Sequence, residues 1–201
     1  MRRVVVLALL ALLAMTLPIA AWAGGIDLTN QGGTISISLS GITSKGSQLK
    51  SFNGIQAPPG KSLGSVSFST GALTSGTITG GGIFSSVGSS FVVIGKGNYG
   101  EPKGVIFSGT FVGDVHWTLV SQVGQTSTYT LTGNLAGQLY NGRMVTGSTT
   151  QTIITHPGQL AKGIGHINLG NTHLNTPEPG TLGLLGTGLL GIAGTFRRKK
   201  S

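Results

Sequence analysis

Residues 34–40 read T-I-S-I-S-L-S, which puts Ile35, Ile37 and Leu39 on one side of the backbone and Thr and Ser on the other. Successive side chains of a strand point to opposite faces, so this strict period of two predicts a half-buried β-strand. The pattern returns along the chain. Residues 65–70 alternate through Val66 and Phe68, 114–120 place Val115, Trp117 and Leu119 together, and 126–132 alternate threonines with Tyr129 and Leu131. Residues 105–112 put Val105, Phe107 and Phe111 on one side, while 90–94 form a short apolar run suited to burial on both faces. Residues 73–84 are interrupted by Gly80-Gly81-Gly82 and give a bent or bulged strand. Residues 41–60 are polar and irregular, with Asn53-Gly54 as a turn and Pro58-Pro59-Gly60 as a break. The clearest hairpin joins 135–140 to 143–148 through Asn141-Gly142, a dipeptide suited to a type I′ turn. In that register Leu139 pairs with Met144 on one face. Residues 151–155 close the series.

No window outside the two ends of the chain carries a helical period. Short strands separated by turn signals predict an all-β fold, and the expectation is an antiparallel sandwich of jelly-roll type. A solenoid is the second choice, but it requires a fixed internal period that the chain lacks. An outer-membrane barrel is set aside because most predicted strands are shorter than the ~9–11 residues needed to span a bilayer.

Composition narrows the class. Cysteine is absent, so no disulfide supports the fold and its core must suffice. About 150 residues are enough, since a domain of that size buries roughly 70% of its unfolded surface. Charged residues make up 8% of the chain and glycine 36 of its 201 residues, against typical values near 25% and 7%. Low charge with abundant Ser, Thr and Gly fits an exported β-protein better than a cytoplasmic enzyme. The net charge of +9 is concentrated at the ends, where Arg2, Arg3 and four C-terminal cations account for six of thirteen. Between residues 24 and 176 stand seven cations (Lys45, Lys50, Lys61, Lys96, Lys103, Arg143, Lys162) and three acids (Asp27, Glu101, Asp114), scattered along the chain. Nucleic-acid binding requires a basic stripe with stacking aromatics, and the sequence has neither. Mild attraction to an anionic polysaccharide is compatible with this charge.

The ends are built for handling at a membrane. Arg2 and Arg3, an apolar run over 4–15, and Ala21-Trp22-Ala23 have the layout of a signal peptide, with cleavage expected between Ala23 and Gly24. At the other end Pro177-Glu178-Pro179 precedes an uncharged run over 180–196, followed by Arg197-Arg198-Lys199-Lys200 and Ser201. Seventeen residues at ~1.5 Å each make a helix of about 25 Å, the short end of what crosses a bilayer core. Its glycines are tolerated because hydrocarbon leaves backbone groups no partner but one another. Small residues at Gly183, Thr187, Gly191 and Thr195 form a flat side that permits close approach of another membrane helix. Four cations are costly to translocate and act as a membrane stop, holding the terminus cytoplasmic. The two prolines keep the preceding stretch extended.

This C-terminal order resembles the PEP-CTERM sorting signal of exported proteins of Gram-negative bacteria. The resemblance covers the tail alone. It implies that an exosortase, an integral-membrane transpeptidase-like enzyme, recognises Pro177, Glu178 and Pro179 and removes the helix and basic tail. It also implies a setting of exopolysaccharide and biofilm production. An ordinary tail anchor behind a Pro-rich linker is the bland alternative.

Within the body, Gly95-Lys96-Gly97-Asn98-Tyr99-Gly100 matches G-x-G-x-x-G after a strand. A dinucleotide site needs a helix next, and Glu101-Pro102-Lys103-Gly104 is a loop, so the stretch reads as a connection and a candidate binding loop carrying Lys96, Tyr99 and Lys103. Asp114 and His116 share one face of a strand and have the composition of an acid/base pair, but their neighbours Val115 and Trp117 face inward, so the pair reads as a solvent face. His156, His166 and His173 lack metal-ligand spacing. Burial is the expected fate of Trp117, Tyr129 and Tyr140.

The expected layout is a signal peptide (1–23), an exported β-domain (24–169), a stalk with the Pro-Glu-Pro motif (170–179), a transmembrane helix (180–196) and a basic cytoplasmic tail (197–201). The expected role is a non-enzymatic surface or matrix protein that passes transiently through the inner membrane. No catalytic residue, cofactor, metal or nucleic-acid partner is assigned. A carbohydrate-binding module of the matrix is the alternative.

Overall fold

The structure, a computed structural model, describes residues 24–176. The expected signal peptide, the Pro-Glu-Pro motif, the transmembrane helix and the basic tail lie outside the described residues. Among the described residues no helix is long and apolar enough to cross a membrane.

The strands assemble as eight staves in chain order. The first is β1 (Gly25–Gln31) continued by β2 (Thr34–Ser38), and the second is β3 (Gly41–Lys45) continued by β4 (Ser47–Phe52). A two-residue strand, β5 (Ile55–Gln56), folds back on β4 through Asn53-Gly54, where Asn53 takes φ 45° and Gly54 φ 86° as a tight turn requires. The third stave is β6 (Gly64–Ser69) with β7 (Leu73–Thr77), and the fourth is β8 (Gly81–Phe84) with β9 (Ser90–Gly95). Then come β10 (Gly104–Val123), β11 (Thr126–Leu139), β12 (Met144–Thr155) and, after a 3-10 turn at Leu160–Lys162, β13 (Ile164–Asn175).

Each stave pairs antiparallel with the next. The eighth then pairs with the first, from Gly25↔Asn175 to Asn30↔Gly170 on β1 and again from Thr34↔His166 to Ser36↔Ile164 on β2. The seam between the second and third staves is completed by Thr70 N–H to Ile42 O and Leu73 N–H to Leu39 O, both under 3 Å. The result is a closed up-and-down barrel of eight staves, and the expected sandwich is wrong. Alternation tells which face of a strand is buried but not whether the two outer strands meet. Residues 170–175, expected to be a stalk, are part of the strand that closes the ring, so the β-domain runs to Asn175.

Two further expectations change. With β10 at 20 residues, β11 at 14, and β12 and β13 at 12 each, strand length no longer argues against a membrane barrel. The outer face supplies the better argument. Thr130, Thr132, Ser148 and Thr150 point outward while Tyr129, Leu131, Val145 and Ile153 are buried, the reverse of the outward apolar band a lipid-facing barrel carries. The 140–142 turn is one residue off the expected register. Leu139 N–H bonds Arg143 O and Gly142 has φ 80°, which makes a three-residue loop rather than a type I′ turn. Met144 therefore pairs with Gln138 and is exposed, whereas Leu139 is buried. The bulge between Val105 and Phe107 likewise turns Val105 outward and Ile106 in. Ile94 is exposed too, so β9 is buried on one face and not on both.

Because the chain is a meander, connections alternate between the two ends of the barrel. One end, here the terminal end, carries Gly25, Asn175 and the loops 53–63, 96–103 and 140–143. The opposite end carries the turns at 39–40, 78–80, 124–125 and 156–163.

Candidate functional site

The loop 96–103 is organised around Glu101. Its side chain is only 4% exposed, and its carboxylate accepts N–H bonds from Asn98 (3.0 Å) and Tyr99 (2.9 Å). Burial pushes this carboxyl up, but the surrounding backbone N–H groups outweigh it and hold the group below the ordinary carboxylate range. The glycine-rich stretch thus offers its amides to its own acid, in the place where a dinucleotide loop would receive phosphate. Of the residues expected to form a binding loop, Lys96, Tyr99 and Lys103 are all exposed. Lys96 Nζ donates to Ser62 Oγ at 2.7 Å, tying this loop to its neighbour. Glu101 was not singled out as its organiser. The available signal was a lone acid closing a run of glycines.

Inside the barrel a polar network joins the first, second, seventh and eighth staves. Asn30 Nδ2 donates to Gln151 Oε1 (2.9 Å) and to Ser47 Oγ (2.7 Å). Gln151 Nε2 returns a bond to Asn30 Oδ1 (3.2 Å) and donates to Thr149 Oγ1 (2.8 Å), which meets Thr172 Oγ1 at 2.9 Å. Among the described residues every buried side-chain polar atom has a partner. The opposite end is shut by aromatics. Trp117 and Tyr129 stack at 4.4 Å, Trp117 Nε1–H bonds Ile78 O and Tyr129 O–H bonds Thr79 O, both at 2.8 Å, drawing the 78–80 turn over the mouth. Their burial matches the expectation, but Tyr140 is 56% exposed.

The outer face of β10 to β13 and β1 carries shallow depressions lined by Ser, Thr and Asn side chains. Asp114 and His116 border one of them and are exposed, as a solvent face requires. His173 lies across the closing seam from Asp27, with Nδ1 2.7 Å from Oδ1 and Nε2 2.9 Å from Asn175 Oδ1. The Asp27 hydrogen bond holds the His173 imidazole above its ordinary value. His156 and His166 come together at the opposite end with rings 6.3 Å apart, and Gln159 Nε2 reaches His166 Nε2 at 3.2 Å. Among the described residues no group of three His, Asp or Glu is placed to hold a metal ion.

The cations that look scattered in the sequence gather in space. Lys61, Lys96, Lys103 and Arg143 all sit in loops of the terminal end, and Lys50 lies on β4 next to it, with Nζ donating to Lys61 O at 2.8 Å. The opposite end holds Lys162.

No curated protein and no solved structure matches the chain. Residues 175–199 match the PEP-CTERM protein-sorting motif, the signal resembled by Pro177-Glu178-Pro179, the uncharged run and the basic end. The chain therefore carries the tag of proteins that exosortase, a membrane enzyme, processes on their way to the cell surface.

Proposed function

We propose that the chain is a non-enzymatic exported β-barrel delivered to the cell surface or extracellular matrix of a Gram-negative bacterium, in the setting of exopolysaccharide and biofilm production. The match over residues 175–199 carries the reading. The interior of the barrel supports it. The buried amides Asn30 and Gln151 bond each other, and Glu101, the one buried acid among the described residues, bonds its own loop. Both arrangements serve the fold. The motif Pro177-Glu178-Pro179 would be presented outside the inner membrane while the basic end stays within, so that cleavage frees the barrel. Intact mass of protein recovered from cells and medium tests this. Loss of residues 1–23 and of the segment after the motif is expected for the parent, with the C-terminal segment kept in Glu178→Ala. Equal C-terminal processing of both proteins would refute recognition through Glu178.

A second reading has its own observation. The Ser, Thr and Asn side chains of the outer depressions present hydroxyl and amide groups in a row, with Asp27, Asp114 and His116 at their margins. Such a surface suits hydrogen bonding to a polysaccharide chain, making the barrel a carbohydrate-binding module. Retention on a polysaccharide column, lost on Thr150→Val and Ser148→Val, would support it. Passage of the parent without delay would dismiss it.

A further inference from the structure

We propose that the terminal end of the barrel is a docking face for anionic lipid headgroups. The inference rests on the membrane-associated processing proposed above and adds a surface to it. Three observations on the barrel itself converge. First, charge is segregated. Lys61, Lys96, Lys103 and Arg143 occupy the three hairpin loops of that end, although they are far apart in sequence. Among the described residues the same end carries two acids. Glu101 is buried on its own amides, and Asp27 is paired with His173.

Second, the cations stand beside amphipathic aromatics. Tyr99 is 41% and Tyr140 56% exposed, although the other large aromatic rings of the barrel are buried. A tyrosine with an apolar ring and a polar tip is suited to the headgroup level. The loops that present these groups are held in place. Lys96 N–H bonds Leu63 O (2.8 Å), Tyr140 N–H bonds Ile106 O (2.8 Å), and the Glu101 carboxylate fixes the turn carrying Tyr99. The face is thus preorganised and loses little freedom on binding.

Third, both ends of the described chain leave the barrel here. Gly25 pairs with Asn175, and only Pro177-Glu178-Pro179 separates Thr176 from the uncharged run over 180–196. The segments that the sequence assigns to membrane steps are joined to this end and not to the other. A cationic, tyrosine-bearing surface beside those junctions has the charge complementary to a phosphatidylglycerol-type headgroup. Docking would hold the barrel at the membrane during processing and release it once the tail is removed, because the remaining attraction is electrostatic and falls with salt.

The absence of cysteine gives a clean test. The full chain, with Asn141→Cys at the terminal end or Gln125→Cys at the opposite end, is labelled with a fluorophore. It is then mixed with vesicles of phosphatidylcholine, alone or with phosphatidylglycerol, containing a headgroup-linked quencher. Quenching at position 141 on the anionic vesicles, absent at 125 and reversed by high salt, is expected. Lys61→Gln, Lys96→Gln and Lys103→Gln together should lower the docking constant roughly a hundredfold, with Trp117 fluorescence confirming the fold. Equal quenching at 141 and 125, or quenching kept in the triple variant, overturns the proposal. So does a face that ignores anionic vesicles but retains an anionic polysaccharide. Co-flotation with neutral vesicles reads the tail separately, so its loss counts against the processing reading while position 141 still reports on docking.

Discussion

Gly170 offers the sharpest test of how the barrel is closed. It lies on β13 against the Asn30–Gln151 pair, and a Cβ placed there would run into Gln151 Oε1 and Asn30 Oδ1. Its backbone is in ordinary extended conformation, so Gly170→Ala probes contact and not φ. The two amides exchange bonds of 2.9 and 3.2 Å and are each tied once more, to Ser47 and Thr149. Forcing them apart removes two hydrogen bonds worth about 1 kcal/mol each and leaves at least one buried amide group short of a partner, about 1–3 kcal/mol more. The stiffer unfolded chain returns roughly 0.4–1 kcal/mol. The expected loss is about 3 kcal/mol, a large share of the ~5–15 kcal/mol that holds a domain folded. Urea unfolding followed by Trp117 fluorescence measures it, since that ring is buried and stacked on Tyr129. At about 2–4 °C per kcal/mol for a chain of this size, Tm should fall by roughly 10 °C. Asn30→Ala vacates the space the new methyl needs, so the double variant should be more stable than the sum of the singles by on the order of 1 kcal/mol. Stability of Gly170→Ala within about 0.5 kcal/mol of the parent, or strict additivity, would refute the account.

Three further outcomes follow from the same contacts. Glu101→Gln weakens two charge-assisted N–H bonds and should cost about 1–3 kcal/mol at neutral pH. Because the folded carboxyl lies below its ordinary value, its contribution is present above about pH 4.3 and lost as pH falls through the folded value. The acid limb of the urea midpoint should flatten in the variant. His173 titrates the other way. Its folded value is raised, so its stabilisation is full below about pH 6.5 and disappears as pH rises through the folded value. With side chains 49% and 77% exposed, the pair contributes no more than about 0.2–1 kcal/mol, and Asp27→Asn should erase the alkaline decline in thermal melts. Tyr129→Phe leaves Thr79 O without its donor and should cost about 1–2 kcal/mol while speeding proteolysis at the 78–80 turn.

The inward face of most strands was legible because large apolar residues alternate there, as with Ile35, Ile37, Val66, Phe68, Val115, Trp117, Tyr129 and Leu131. The missing strands fail this signal for a physical reason. The inward positions of β13 are Gly165, Ile167, Gly170, Thr172 and Leu174, since that stretch packs against a polar network rather than a greasy core. β3 and β4 likewise turn Ser44 and Ser47 inward. With both β1 and β13 unread, the two strands whose pairing closes the ring are missing, and a sandwich is the expectation that follows. The G-x-G-x-x-G stretch is a loop, as its following residues indicate, but its internal anion depends on backbone directions that sequence does not record. Closeness of Lys61, Lys96, Lys103 and Arg143 follows from the parity of a meander, in which every second connection returns to one end. That parity exists only once all eight staves are counted.

Closure also accounts for a composition that would endanger an open sheet. An exposed edge strand presents unpaired N–H and C=O groups and is usually protected by Lys, Pro or inward charges. Here the first and last staves satisfy one another along both β1 and β2, leaving no such edge at that seam. The barrel wall can then be built from Thr, Ser, Asn and Gly, whose hydroxyl and amide groups keep the outer face wet without charge. Charges released from edge duty need not be spread evenly, and in this barrel they collect where the chain enters and leaves. Opening the seam should therefore do more than destabilise. A variant that breaks the β1–β13 pairing, such as Thr172→Pro, which removes a ladder donor in a strand with neighbours on both sides, exposes two edges at once, with Asp27 as their one acid. Aggregation at neutral pH, measured by light scattering and by binding of an amyloid-reporting dye, is the expected consequence. A soluble monomer with an intact β-spectrum would show that closure is not what keeps this low-charge surface apart from its copies.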